Sequence, residues 1–100
     1  MMNSQTQLME YISLGQVEAV QKLLNQNNCN VNQQDEFGDS AILLAACRND
    51  LAMLKILIAA GATVNTQDHF GNSPLSWAEK HHNHEMINLV KTYSKAPKKA

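Results

Sequence analysis

Cysteine is scarce in this chain: Cys29 and Cys47 are its only two, and they occupy unrelated positions. Nothing in that usage suggests an oxidising compartment or a disulfide framework. The start, Met1-Met2-Asn3-Ser4-Gln5, lacks the basic-then-apolar order of a signal peptide. A cytosolic setting is therefore the expectation, in the producing cell or in a host cell it enters. No apolar run approaches the roughly eighteen residues of a membrane span, so no membrane association is expected. Aromatic residues are few, at 5%. Eight basic residues against nine acidic ones leave a net charge of -1. Residues 35–50 carry Asp35, Glu36, Asp39 and Asp50 against Arg48 alone, while Lys91, Lys95, Lys98 and Lys99 face no acid near the end. A nucleic-acid binder would gather its cations on one ordered face, so none is expected as a partner. No nucleophile, base and acid stand together either, because Ser40, Ser73 and the histidines fall at turns and caps.

What the chain does contain is itself, repeated. Asp35-Glu36-Phe37-Gly38-Asp39-Ser40 returns as Asp68-His69-Phe70-Gly71-Asn72-Ser73, and Ile42, Ala45, Met53, Leu54, Ile56 and Leu57 return as Leu75, Ala78, Met86, Ile87, Leu89 and Val90. An older copy lies upstream, where Val31-Asn32 anticipates Val64-Asn65 and Val20, Leu23 and Leu24 anticipate Leu54, Leu57 and Ile58. Self-similarity of this length marks a solenoid, whose units cannot bury their own apolar faces and must stack.

The elements follow from spacing and punctuation. Residues 5–14 read as a helix burying Leu8, Tyr11, Ile12 and Leu14, broken by Gly15. Val17 to Leu24 form a second helix with Val17, Val20, Leu23 and Leu24 on one stripe. A polar turn follows, in which Asn27 or Asn28 takes the left-handed conformation. In the second unit Gly38 supplies a tight turn, Ser40 caps a helix from Ala41 to about Arg48, and a longer helix runs from Leu51 to Ala60 before Gly61. The third unit starts on Ser73 as cap with Pro74 at the first helical position, and its second helix covers about Glu85 to Tyr93. The expected core is Leu8, Ile12, Val20, Leu23, Leu24, Ile42, Ala45, Leu54, Leu57, Leu75, Ala78, Ile87 and Val90.

From Ala45-Ala46 through the Leu/Ile stripe to Gly61-Ala62-Thr63-Val64-Asn65, the chain resembles an ankyrin repeat. The resemblance implies an all-α ankyrin-repeat solenoid of stacked helix-turn-helix units with short projecting turns. A single domain over residues 1–94 would hold repeats at about 3–34, 35–67 and 68–94, followed by a basic flexible tail at 95–100. Two departures stand out. The family's Thr-Pro-Leu-His appears as Ser40-Ala41-Ile42-Leu43 and Ser73-Pro74-Leu75-Ser76, without the histidine that ties neighbouring repeats. Its inter-helix Gly-His appears as Asn49-Asp50 and His82-Asn83. These losses predict a fold that relies on apolar packing.

For function the resemblance implies a non-enzymatic module that grips a protein through its loop tips and first helices, with no cofactor and no catalytic group. Carried over by position, the partner-binding residues are Glu36, Phe37, Asp39, Cys47 and Arg48 in the second repeat, and His69, Phe70, Asn72, Lys80 and His81 in the third, with Trp77 facing the groove between them. The acidic first finger suits a basic partner. Phe37 and Phe70 read equally well as anchors for that partner or as packing against the neighbouring finger. Immunity or accessory protein in a bacterium, and effector acting on a host, are two roles open to such a module. One alternative is a metal-dependent regulator or enzyme built on His69, His81, His82 and His84, although their spacing matches no usual zinc pattern and a turn separates His81 from Glu85. Another is a structural role by self-association through apolar end faces, in place of a monomer.

Overall fold

The computed structural model describes residues 4–26 and 30–95. They form six helices in three pairs: α1 (Ser4–Ser13) with α2 (Val17–Asn25), α3 (Ala41–Cys47) with α4 (Leu51–Ala59), and α5 (Pro74–Lys80) with α6 (His84–Lys95). The short inner helices pack side by side, α3 between α1 and α5, and each also packs on its own outer helix. The outer helices touch one another less, so the stack is held mainly along its inner row. Among the described residues there is no strand, and no helix is long and apolar enough to cross a membrane.

Each pair closes through the same left-handed corner. Gly15, Asn49 and His82 have φ of 71°, 59° and 55°. Each donates to the carbonyl three residues back (Ile12, Ala46, Glu79), and the next amide reaches five residues back (Tyr11, Ala45, Ala78). This is the Schellman motif, with a left-handed residue at the turn, that satisfies the last carbonyls of a helix. Gly61, φ 99°, ends α4 in the same way with bonds to Ile58 and, through Ala62, to Leu57. After two of the corners the next residue starts the outer helix: the Asp50 and Asn83 side chains accept from the Met53 and Met86 amides at 3.2 and 3.0 Å.

The core runs through all three pairs. Leu8, Ile12, Val20, Ile42, Ala45, Leu54, Leu57, Ala78 and Val90 are buried as expected, as is Leu23. Leu24, Leu75 and Ile87 are only half-buried, and Leu14 is exposed beyond the end of α1. The deepest outer-helix positions in the last two repeats include Met53 and Met86, one residue ahead of the Leu54–Ile87 pair. Leu43 and Ala46 are buried because the third repeat packs over them, whereas their equivalents Ser76 and Glu79 are half-buried and exposed. The outer side of α5 is thereby made polar.

Ser40 corrects a second expectation. It stands at the N-cap of α3, but its hydroxyl makes no cap bond and is buried without a partner. Ser73 does cap α5, in a reciprocal box with Ser76: Ser76 N donates to Ser73 Oγ at 3.1 Å, and Ser73 N donates to Ser76 Oγ at 2.8 Å. The box needs a polar third residue, and α3 has the buried Leu43 there. The helix ends also differ slightly: α3 stops at Cys47, and α6 extends from His84 to Lys95. Asn27, Asn28, Cys29 and most of the expected tail, at 96–100, lie outside the described residues.

Polar ties between repeats run through residues other than the missing histidine. Asn32 accepts from Thr63 N at 2.8 Å and donates to the Gly61 carbonyl at 3.3 Å, and Asn65 repeats the second bond to Ser94 at 3.4 Å. Gln34 Nε2 donates to the Gly38 and Gln67 carbonyls at 2.7 and 3.0 Å. Apolar packing is therefore supplemented by amide side chains that bridge one repeat to the next.

Candidate protein-binding face

Two fingers project ahead of α3 and α5, and one carboxylate builds each. Asp35 Oδ1 accepts from the Phe37 and Asp39 amides, both at 2.9 Å, and Asp68 Oδ1 accepts from Phe70 and Asn72 at 2.8 and 2.9 Å. Such side-chain-to-backbone bonds are how aspartate shapes a turn. Gly38 and Gly71, φ 81° and 86°, complete the reversals. The fingers then lock together: His69 N donates to the Phe37 carbonyl at 3.0 Å. A Cβ on Gly38 would lie 2.8 Å from His69 N, so only glycine admits the second finger this closely.

This close seating leaves both phenylalanine rings outside. Phe37 is 52% exposed and Phe70 75% exposed. Glu36 and His69 are exposed beside them, while Asp39 and Asn72 are half-buried at the finger bases. Partial burial, with the like charges of Asp35 and Asp68 nearby, raises the Asp39 pKa above its ordinary value. At Asp68 desolvation pulls the same way, but the Asn72 backbone and amide and the Phe70 backbone donate to the carboxylate and leave its pKa lowered.

The inner helices carry the rest of the face. Trp77 is half-buried, with His81 stacked on it at 6.2 Å between ring centroids and Lys80 Nζ 4.6 Å from its ring centre. Lys80 also donates to Asn72 Oδ1 at 3.4 Å. His81 Nε2 lies 2.8 Å from the Cys47 carbonyl on α3, which places Arg48 beside it in the chain. Cys47 is half-buried, and Arg48, Lys80 and His81 are exposed. Among the candidates, the structure thus joins Cys47, Asn72, Trp77, Lys80 and His81 by direct contacts, and joins Phe37 to His69 across the fingers. Neither the Glu36 nor the Arg48 side chain forms a hydrogen bond, ion pair or ring contact with them. Asp35, Asp68, Asn32 and Gln34, which hold the fingers and the repeats, were not among the candidates, although each acid and Asn32 recurs in phase as Asp68 or Asn65.

Among the described residues no three His, Cys, Asp or Glu side chains gather as a metal site requires. The histidines are separated: His69 is on a finger, His81 faces α3, and His82 forms the corner. A groove of about 500 Å³ beside α4 is lined by Gln21, Leu24, Lys55, Ile56 and Ala59 among others, away from the fingers.

Three stacked helix pairs with projecting turns define a helical repeat solenoid. The family described as ankyrin repeats, in three copies, matches residues 8–99, and the chain belongs to that family. Ankyrin repeats generally mediate protein–protein interaction and are typically non-enzymatic. Comparison with curated proteins gives no match.

Proposed function

We propose that this protein is a non-enzymatic module that holds a basic protein partner across its fingertips and inner-helix face. The observation that carries the reading is the outward seating of Phe37 and Phe70, 52% and 75% exposed on adjacent fingers. Large rigid rings kept in water by a glycine-tight finger stack are the side chains that dominate binding energy when a partner covers them. Glu36 and Asp39 next to them give the first finger its negative sign, so affinity should fall as salt rises. The protein acts in the cytoplasm, of its own cell or of a host, as a monomer whose third-repeat side is polar at Ser76 and Glu79. Blocking a partner enzyme as an immunity or accessory protein, and engaging host proteins as an effector, are the two roles this surface suits.

Affinity capture from the source cell with the intact chain tests the reading. A partner retained by the native protein should be lost from Glu36→Lys/Asp39→Lys, with helical content unchanged by circular dichroism. Stoichiometric metal in the purified protein, with no partner lost on charge reversal, would favour the histidine-based alternative instead.

A further inference from the structure

Trp77 is held in place before any partner arrives. Lys80 Nζ lies over its ring, 4.6 Å from the centroid, and donates to Asn72 Oδ1 at 3.4 Å. Asn72 in turn donates to Asp68 Oδ2 at 3.1 Å, so the ammonium is tied to the base of the second finger. His81 stacks on the indole at 6.2 Å between centroids and 24° between planes. Its Nε2 lies 2.8 Å from the Cys47 carbonyl, which can only accept, so the proton sits on Nε2 and the ring is pinned to α3. At the same phase the second repeat has Asp39, Leu44, Cys47 and Arg48, which form no such chain among the described residues.

What this leaves free is the indole N–H. It has no hydrogen-bond partner among the described residues, yet it is not enclosed: Ser40 Oγ is the one side-chain polar atom there that is both buried and unpartnered. The N–H therefore opens to solvent from a half-buried ring. A partner that covers this face takes the donor out of water. Left without an acceptor, it would cost about tenfold in affinity. Lys80 narrows the choice of group, because an ammonium over the ring repels a cation and favours an oxygen.

We infer that Trp77 binds the partner through its indole N–H, which donates to a carbonyl oxygen of the bound chain, with Lys80 and His81 as the positioning residues that hold the ring for it. The inference rests on protein binding through this face and adds a directional polar contact to the exposed phenylalanines of the fingers. It gives the third repeat a selectivity that the second lacks, since Leu44 at the equivalent position offers no donor. A buried donor discriminates against a chain with no acceptor in reach more sharply than apolar contact does.

Peptides selected on the intact protein from a displayed random library are the probe, keeping those whose binding is lost with Glu36→Lys/Asp39→Lys. Trp77→benzothienylalanine keeps the fused rings and removes only the N–H, and should weaken these peptides about tenfold. An alanine scan of each peptide then locates the acceptor. One Asn or Gln whose alanine variant no longer distinguishes the two proteins places the carbonyl in that side chain. A difference that persists at every position places it in the backbone. An Asp, Glu, Ser or Thr that alone accounts for the difference is not a carbonyl donor site and overturns the assignment. Equal or tighter binding to the isostere overturns the donor role of Trp77 and leaves the finger site standing, whereas no peptide sensitive to the finger reversal overturns both. Fluorescence anisotropy of Trp77, the only tryptophan, reads the positioning. Lys80→Met and His81→Leu should each free the ring and weaken the peptides, while Lys80→Arg should keep both as they are. A ring equally rigid in all these variants overturns the positioning roles.

Discussion

His82→Gly should stabilise this protein, although it removes a whole side chain. His82 occupies the left-handed corner between α5 and α6 at φ 55°, where the first corner has Gly15 at 71° and the second has Asn49 at 59°. An L-residue with a bulky side chain costs roughly 1–2 kcal/mol in that conformation, and asparagine costs less. The His82 ring is exposed and makes no hydrogen bond or ring contact among the described residues. The corner's own backbone bonds, His82 to Glu79 and Asn83 to Ala78, survive the substitution. Against this gain stands the greater freedom of glycine in the unfolded chain, about 0.4–1 kcal/mol. The balance is about 0.5–1 kcal/mol in favour of glycine, or about 2–8 °C in Tm for a domain of this size. Urea denaturation reads it directly, as a higher midpoint at unchanged slope. His82→Ala keeps the strain and should show no such gain. A midpoint for His82→Gly at or below that of the native chain would refute the strain argument.

Other substitutions test the fingers and caps. Gly38→Ala should cost more than Gly71→Ala: both have positive φ, but only at Gly38 would the new Cβ strike the next finger's backbone, 2.8 Å away, while Gly71 has open space. Comparing their urea midpoints checks this, and equal losses would contradict the locked-finger geometry. Ser73→Ala should lose about 0.5–2 kcal/mol with its capping box, whereas Ser40→Ala, removing a buried hydroxyl that has no partner, should be neutral or stabilising. Asp39→Asn should raise stability at pH 7. The raised folded pKa of Asp39 means that its charged form is disfavoured by folding, so native stability from this group grows as pH falls through that pKa and the advantage of asparagine disappears. Melting temperatures of the two proteins should converge in acid; an advantage that widens there would give the shift the wrong sign.

Much of this architecture is legible in the sequence because a repeat tests every assignment twice. Gly38 with Gly71, and Asn49-Asp50 with His82-Asn83, mark the turns and corners by phase alone. What a single helix's periodicity does not show is burial contributed by the neighbouring unit. Leu43 and Ala46 look like positions beyond the stripe, yet the third repeat covers them, while Ser76 and Glu79 at the same phase stay open. Leu75 and Ile87 miss full burial in that same last repeat, which has a described neighbour on one side only. At the site, the three- and four-residue spacings of Trp77, Lys80 and His81 foretell a shared helix face. The bond from His81 to the Cys47 carbonyl, thirty-four residues away, has no such signature. The missing reciprocal half of the box at Ser40 is written in the sequence, as Leu43 where Ser76 stands in the third repeat, but the missing bond from the Ser40 hydroxyl itself has no such signature, because that bond needs only a backbone amide.

The central claim is that fingers and inner helices, not the outer face, hold the partner. Titration calorimetry with the captured partner tests it most directly, comparing the native chain with Glu36→Lys/Asp39→Lys and with a control pair on the exposed outer-helix positions, Lys55→Glu/Asn88→Lys. The account predicts about tenfold or greater weakening for the finger pair, as lost complementary charges give, and unchanged affinity for the outer pair. Affinity that survives the finger reversal and collapses with the outer pair would contradict it.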